Sequence, residues 1–304
     1  MTKLKQLKSI PKPLNKGDKI GLISTARKIS RQELDFSVSL IKEWGYKVVF
    51  SEYLFEQDNQ FSGTEEQRTS DLQQMINDPK IKAILCVRGG YGTVKIIDKI
   101  DFSSLQKTPK WIMGYSDVTV LHSHLHQLSI ASLHCSMPIN FESNSPLSLS
   151  SIQNTLKGEP ISYETESHPL NIKGKSKAQI VGGNLSILYS LCASPSDLDT
   201  DGKILFLEDL DEYLYHIDRM ITNLKRNNKL SKLAGLIVGG MTKMHDNEVP
   251  FGKNATQIIL DAVKEYDYPV CFDFPAGHLK NNVCLKFGVE AKLEVDHTTK
   301  LIYG

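Results

Sequence analysis

The first half of the chain alternates between short apolar runs and segments whose apolar residues recur at helical spacing. The apolar runs predict strands at residues 19–25, 46–50, 81–87, 111–113 and 132–135. The helical spacing predicts helices at residues 30–44, 64–78, 94–100 and 118–128. Short apolar strands that alternate with helices indicate a parallel sheet covered on both faces. We therefore expect an α/β fold with functional loops at the carboxyl ends of these strands.

The pattern changes near Asn140, where the chain becomes polar and rich in serine, proline and glycine, with little periodicity. We interpret residues 1–142 as an N-terminal domain that begins with a lead-in over 1–18, and residues 143–177 as a linker with exposed strands. Residues 178–304 form the predicted C-terminal domain. Its pattern predicts strands at 203–208, 234–238 and 268–272, helices at 215–225 and 256–266, and an antiparallel hairpin at the end of the chain.

Composition and charge remove several classes of function from consideration. The chain has 304 residues, 40% hydrophobic and 23% charged, with a formal net charge of +1. It can therefore bury a core, and it has no bias towards nucleic acid or anionic membranes. No segment has the apolar length of a signal peptide or a membrane span, which predicts a cytoplasmic protein. The five cysteines are scattered without a C-x-x-C pair, which favours buried reduced thiols over disulfides or zinc.

The stretch 110–128 carries the first candidate for chemistry. A short apolar run ends at Gly114, Ser116 follows two residues later, and a helical pattern begins at Val118. A strand, a sharp turn and a helix in this order would raise the Ser116 hydroxyl above the sheet edge and direct a helix N-terminus at its target. The alternative at this point is that Ser116 or Asp117 only caps the helix.

A nucleophilic serine needs a base, and the base needs an orienting group. His278 follows a predicted strand and a Pro-Ala-Gly turn, which indicates a constrained loop at a strand end. Glu208 closes another apolar strand, either as a charge at the sheet edge or as a positioned functional group. Ser116, Glu208 and His278 follow the chain order nucleophile, acid and base that hydrolases on other folds use.

Two further groups of residues offer other chemistry. His122 and His126 share a face of the predicted helix after Ser116, but no acidic or cysteine ligand accompanies them at the spacing of a metal motif, so we expect no metal. The loop 88–92, Arg-Gly-Gly-Tyr-Gly, offers bare backbone amides at a strand end, suited to an oxyanion or a phosphate. It lacks the motifs of nucleotide-binding loops. A glycine-rich turn without a ligand is the alternative.

Five sequence frames occur in order along the chain, and together they resemble the LD-carboxypeptidases, which are serine peptidases also called muramoyltetrapeptide carboxypeptidases. The frames are RGGYG at 88–92, GYSDVT at 114–119, GGNLS at 182–186, ILFLEDLDEYLYHIDRM at 204–220 and PAGH at 275–278. The resemblance runs over nearly the whole chain. It implies a doubly wound, flavodoxin-like N-terminal domain, a C-terminal domain with a swivelling β/β/α core, and a homodimer.

The resemblance also implies a role for the residues of the site. Ser116 corresponds to the nucleophile, Glu208 to the acid and His278 to the base of a catalytic triad. The backbone N–H groups of Asp117 and Gly90 correspond to an oxyanion hole. No metal or other cofactor is implied.

The reaction implied is removal of a terminal D-amino acid, typically D-alanine, from a murein tetrapeptide in peptidoglycan recycling. The leaving residue carries a free carboxylate, for which Arg88 is the candidate cation, and Gly89 and Tyr115 are the other residues expected to bind substrate. A sister branch of the family cleaves a peptide–nucleotide antibiotic and carries a longer insertion before the GGN frame. The short connection between Asn140 and Gly182 favours the murein branch. A non-catalytic protein that binds a ligand in a cleft is the third alternative.

Overall fold

Five parallel strands and one antiparallel edge strand form the first sheet of the computed structural model, which describes residues 9–304. The parallel strands are β1 (Lys19–Ile23), β2 (Lys47–Phe50), β3 (Ile81–Cys86), β4 (Trp111–Gly114) and β5 (Ser132–His134). Their order across the sheet is β2-β1-β3-β4-β5, which is the strand order of flavodoxin-like folds. The predicted doubly wound N-terminal fold is confirmed.

Helices cover both faces of this sheet. They are α1 (Asp35–Glu43), α2 (Glu65–Asn77), α3 (Ser103–Lys107), α4 (Thr119–Gln127) and α5 (Pro146–Lys157). Neighbouring residues of a strand point to opposite faces. Leu22 of β1 accordingly packs in the core beneath α1 and α5, while Ile23 packs in the core beneath α2 and α4. Burial on both faces explains why β1, β3 and β4 are mostly apolar in the sequence, whereas the edge strand β2 is partly exposed.

The segment predicted as a helix at 94–100 has a different structure. It forms two separate 3-10 turns, Thr93–Lys95 and Ile97–Lys99, which precede the short α3. Gly92 enters the first turn with a φ of +151°, and both the N–H and the hydroxyl of Thr93 bond to Asp117. Because the start of the segment is bound to another element, it does not follow the path of a regular helix.

The second sheet is parallel in one half and antiparallel in the other. Across the sheet its strands are β10 (Val270–Cys271), β9 (Gly235–Thr242), β8 (Ile204–Leu210), β7 (Gly174–Asn184), β12 (Glu290–Val295), β13 (Thr298–Tyr303) and β6 (Ser162–Glu166). The predicted hairpin is β12 and β13, which pair antiparallel. The helices α6 (Leu185–Leu191), α7 (Leu214–Arg226) and α8 (Ala255–Val263) pack on Leu205 and Val238 at one face.

The segment 143–177 contains the helix α5, which the prediction of a linker with exposed strands did not include. Ser145 caps this helix through its side chain, Pro146 is the first helical residue, and Gly158 follows the last one with a φ of +77°. These are ordinary helix boundary signals. The many serines between these signals instead favoured the prediction of a linker. The exposed strand β6 was predicted.

One strand of the first sheet comes from the C-terminal part of the chain. β11 (Leu285–Phe287) pairs antiparallel with β5 at the edge of the first sheet. Phe287 is buried there, with its ring centroid 6.1 Å from that of Phe206 in the second sheet. The predicted N-terminal and C-terminal domains therefore share a strand and a core.

Several simpler expectations concern the whole chain. Four of the five cysteines are buried, the fifth is half-buried, and all five are free thiols. Within residues 9–304, helices long enough to cross a bilayer and apolar enough to remain there are absent. The first eight residues of the predicted lead-in lie outside the described part of the chain.

Candidate active site

Ser116 lies in a sharp turn between β4 and α4. It is half-buried and has a φ of +62°, in the left-handed region that costs a non-glycine residue about 1–2 kcal/mol. Backbone strain of this kind is concentrated at functional sites. A single 3-10 turn, Ser116–Val118, leads into α4, and neither its N-cap nor that of α4 has a side-chain hydrogen bond. The alternative that Ser116 or Asp117 caps the helix is therefore wrong.

The carboxylate of Asp117 connects this turn to the glycine-rich loop. Its Oδ2 accepts hydrogen bonds from the backbone N–H of Thr93 at 2.9 Å and from the Thr93 hydroxyl at 2.6 Å. The side chain is buried, and burial raises its pKa, although the bonds to Thr93 oppose that shift. The loop 88–93 is thereby held against the turn that carries Ser116.

The loop approaches Ser116 so closely that any side chain at residue 89 would crowd it. A Cβ at Gly89 would lie 3.1 Å from both Cβ and Oγ of Ser116. Gly90 follows with a φ of +113°. Within residues 9–304, the backbone N–H groups of Asp117 and Gly90 have no hydrogen-bond acceptor. Two unused donors therefore lie on the two segments that surround the Ser116 side chain.

His278 and Glu208 form the second half of the site. His278 Nδ1 lies 2.6 Å from Glu208 Oε2, and the His278 backbone N–H donates to the same oxygen at 3.2 Å. Glu208 belongs to β8 and is fully buried. Gly277 allows this approach, because its φ is +106° and a Cβ there would lie only 2.7 Å from Glu208 Cβ. The Pro-Ala-Gly turn therefore holds the imidazole on the carboxylate.

The electrostatics of this pair favour a protonated imidazole. Within the described chain, Glu208 Oε1 is buried without a hydrogen-bond partner, so His278 is the group that compensates the carboxylate. Burial by itself would lower the pKa of His278, but the charge and hydrogen bond of Glu208, with the charge of Asp209, outweigh it and the pKa is raised. Burial and the neighbouring Glu208 also raise the pKa of Asp209 to about 7.

The two halves of the site meet at Tyr115 and at Thr119. The Tyr115 ring packs on His278 with 4.7 Å between ring centroids. Thr119, in the first turn of α4, accepts a hydrogen bond from the Asn184 backbone N–H at 3.0 Å. Ser116 Oγ forms no hydrogen bond to His278 or to any other described residue. Such bonds often tighten only when substrate is bound.

The other residues singled out in the sequence lie in different surroundings. The Arg88 guanidinium lies 3.5 Å from Glu33 Oε1 and donates to the Lys28 carbonyl at 3.2 Å. His122 is buried, and its two ring nitrogens contact Ser132 Oγ and the Gly114 carbonyl. No group of three or more potential metal ligands occurs in the part of the chain that the structure describes.

Comparison with known families bears directly on this arrangement. A family model of the LD-carboxypeptidase N-terminal domain matches residues 20–135, and one of the C-terminal domain matches residues 177–293. The chain belongs to the LD-carboxypeptidase family. It is accordingly a carboxypeptidase by family, and therefore a hydrolase. Ser116 lies in the first matched segment of the family, and Glu208 and His278 lie in the second.

Relatives of known name or structure extend over almost the whole chain. A probable murein peptide carboxypeptidase of Bacillus subtilis (strain 168) is 35% identical over 96% of this chain and 93% of the relative. The crystal structure of muramoyltetrapeptide carboxypeptidase from Oxalobacter formigenes matches with a TM-score of 0.87 at 25% identity, covering 94% of this chain and 98% of that one. MccF in complex with glutamyl sulfamoyl guanosine matches with a TM-score of 0.86 at 20% identity, covering 97% and 98%. This last likeness shows a shared fold.

Two residues beside the site, Asn184 and Asp209, were not among the candidates that the sequence offered. Asp209 accepts hydrogen bonds from the Asn184 side chain at 2.8 Å and from the Ser186 backbone N–H at 2.9 Å. Asn184 belongs to the GGN frame, and Asp209 follows Glu208 in the LED frame. Both residues therefore lie within sequence frames that had already been singled out. Only the folded chain shows that these two side chains bond to each other.

Proposed function

We propose that this protein is a serine LD-carboxypeptidase that removes the terminal D-alanine from a murein tetrapeptide. Ser116 acts as the nucleophile, His278 as the base and Glu208 as the acid that orients the base. The observation that carries the proposal is the 2.6 Å contact between His278 Nδ1 and buried Glu208 Oε2, beside a serine in a strained turn. The murein peptide carboxypeptidase name of the 35% identical relative supports the substrate.

The path of the proton follows from which ring nitrogen of His278 contacts Glu208. Since Glu208 binds Nδ1, Nε2 of His278 is the nitrogen left to take the proton from Ser116. The Ser116 oxygen then attacks the scissile carbonyl, and the N–H groups of Asp117 and Gly90 stabilise the oxyanion that forms. His278 next protonates the leaving amine, and water hydrolyses the acyl-enzyme by the same steps.

The environment of His278 suits both of its tasks. The imidazolium that forms after proton transfer is stabilised by Glu208, in a site where burial strengthens the attraction. The raised pKa of His278 makes it a stronger base than an exposed histidine. It also leaves the imidazole protonated, and unable to accept the Ser116 proton, at mildly acidic pH.

The decisive experiment compares two serine variants of the purified protein. Ser116→Ala should lower release of D-alanine from the tetrapeptide by more than about 10³-fold, measured by chromatography, while the variant still binds the peptide. Ser129→Ala is the matched control, because Ser129 is also half-buried and left-handed, with a φ of +59°, at the other end of α4. Wild-type turnover by Ser116→Ala would exclude the proposed nucleophile.

A peptide–nucleotide conjugate serves as the second substrate in the same assay. We expect faster turnover of the tetrapeptide, because the likeness to MccF is one of fold at 20% identity. Faster turnover of the conjugate would instead favour the antibiotic-cleaving alternative. Binding without turnover of either substrate would favour a cleft-binding protein. We also propose a cytoplasmic homodimer, which cell fractionation and sedimentation would check.

A further inference from the structure

An open groove of about 810 Å³ lies directly beside the proposed base. Its walls include His278 and Tyr115, and they also include two lysines, Lys243 and Lys280. Such a volume accommodates several substrate atoms beyond the scissile bond. The groove borders His278 and Tyr115, the residue before Ser116, so a substrate whose reacting carbonyl lies at Ser116 can extend into it.

Both lysines are attached to backbone that contacts the proposed base. Lys280 follows His278 by two residues, and its carbonyl accepts a hydrogen bond from the Ser145 backbone N–H at 3.0 Å. Lys243 follows the end of β9 with a left-handed φ of +51°. The Thr242 hydroxyl beside it donates to the His278 carbonyl at 3.4 Å. Their main chains are thus fixed with respect to the imidazole, while their side chains are exposed.

Neither lysine has an ion-pair partner within residues 9–304. The other charged side chain that lines the groove, apart from His278, is Glu142, which is exposed. The groove consequently carries two unpaired ammonium groups and one carboxylate. This excess of positive charge suits an anionic ligand.

We propose that Lys243 and Lys280 bind the terminal carboxylate of the leaving D-amino acid, and so restrict cleavage to the chain end. The inference rests on the proposed function and names the residues that recognise the substrate terminus. His278 must protonate the leaving amine, so the leaving residue lies on the His278 side of the scissile bond. Its carboxylate is attached one carbon away from that amine and therefore enters the groove.

The two arginines near the glycine-rich loop lie in different places. Arg88 is occupied by Glu33 and by the Lys28 carbonyl. Arg27 packs over Gly90, where a Cβ would lie 2.7 Å from Arg27 Cδ. Gly90 carries one of the proposed oxyanion donors, so Arg27 lies beside the oxyanion and not beside the leaving group. The lysines, and not Arg88, are therefore the cations placed to bind the leaving carboxylate.

The test compares two substrates that differ only at their end, the tetrapeptide with a free C-terminal D-alanine and the same peptide with a C-terminal D-alanine amide. We expect the wild-type protein to prefer the free acid by roughly 10- to 100-fold in kcat/KM, the range for hydrogen bonds to a charged group. Lys243→Gln and Lys280→Gln should each reduce this preference, and the double variant should nearly abolish it. Arginine at both positions should retain most of it.

Lys300→Gln is the matched control, since Lys300 is a lysine on β13 outside the groove. A wild-type preference that survives in the double variant would overturn the inference, as would equal turnover of acid and amide by the wild type. Loss of the preference in Arg27→Gln alone would assign the role to Arg27 instead. All three outcomes leave D-alanine release by the wild type intact, which separates them from failure of the proposed function.

A binding measurement covers the case in which no D-alanine is released. Calorimetry then compares the affinities of acid and amide for the wild type and for the lysine double variant. Tighter binding of the acid that depends on the lysines would support the carboxylate site even though the proposed reaction had failed. Equal affinities would overturn the carboxylate site as well.

Discussion

At the scale of single residues, the site depends on backbone conformations that most side chains avoid. Ser116, Gly277 and Lys243 all have a positive φ, between +51° and +106°. Ser116 lies in the turn after β4, whereas Lys243 and His278, the residue after Gly277, line the groove. Glycine adopts a positive φ freely, so only Ser116 and Lys243 are strained, and such strain persists only where the surrounding structure is packed and hydrogen-bonded.

Gly277→Ala should abolish most activity while leaving the protein folded. The new Cβ would lie 2.7 Å from Glu208 Cβ and 2.8 Å from Glu208 Oε2, so it must push the imidazole and the carboxylate apart. A displacement of about 1 Å in a catalytic group lowers kcat/KM by on the order of 100-fold. D-alanine release and circular dichroism would measure the two effects.

Gly252→Ala provides the matched control for that experiment. Gly252 also has a positive φ, of +86°, but a Cβ there meets nothing within 4 Å. Both variants therefore carry the backbone strain of about 1 kcal/mol, and only one disturbs Glu208. Equal activity of the two variants would contradict the role assigned to Gly277.

Residue types at strand ends could be inferred from sequence, but side-chain directions could not. Ser116, Glu208 and His278 were selected because each follows an apolar run, and the structure brings Glu208 and His278 into contact. Arg88, the candidate cation for the leaving carboxylate, also follows a predicted strand, yet its guanidinium is directed towards Glu33. Strand-end placement specifies a region, whereas the partner of a long flexible side chain depends on elements distant in sequence.

At the scale of elements, α4 is organised around its buried face. The helix was predicted from its apolar spacing, and the same spacing suggested His122 and His126 as residues on a shared face. His122 is fully buried, and burial lowers its pKa to about 4. A histidine that is neutral in the folded state and protonates when unfolded makes the protein less stable in acid.

His122→Gln should therefore flatten the pH dependence of stability. Between pH 6.5 and pH 4 the unfolded wild type binds a proton at His122, whereas the folded protein keeps this histidine neutral. The wild type consequently loses about 3 kcal/mol relative to the variant over this range. The variant should be the less stable protein at pH 7, because it loses the contact with Ser132, and the difference should shrink as the pH falls.

Urea unfolding at several pH values would measure this difference in the free energy of unfolding. His297→Gln is the control, since the His297 side chain is 92% exposed and its replacement should leave the pH dependence unchanged. A constant difference between wild type and His122→Gln from pH 7 to pH 4 would contradict the buried neutral histidine.

At the scale of the whole molecule, the two sheets are joined into one structure. β11 leaves the C-terminal part of the chain to pair with β5, and α4 bonds to Asn184 at the end of β7. Separation of the halves would expose Leu285 and Phe287, each with roughly 1.5–3 kcal/mol of burial energy. The sequence could not reveal this exchange, because a strand of three residues gives no periodic signal.

We therefore expect both halves to unfold in one transition, although chains of this length often unfold in steps. Both tryptophans, Trp44 and Trp111, lie in a core of the first sheet, so fluorescence follows that half. Far-ultraviolet circular dichroism follows both halves. In urea the two signals should have the same midpoint. Leu236→Ala, in the second core, should lower both midpoints equally, because such a cavity lowers the free energy of unfolding by roughly 2–5 kcal/mol.

The shared strand is the cause of this coupling, and it can be weakened directly. Phe287→Ala removes the ring that packs between the sheets, so the fluorescence and dichroism midpoints should separate. Phe50→Ala, at an exposed position on the edge strand β2, should leave them coincident.

Two midpoints in the wild type, or a Leu236→Ala effect confined to dichroism, would mean that the halves fold independently. The groove between them would then depend on docking of two separate domains, because His278 and Tyr115 belong to different halves.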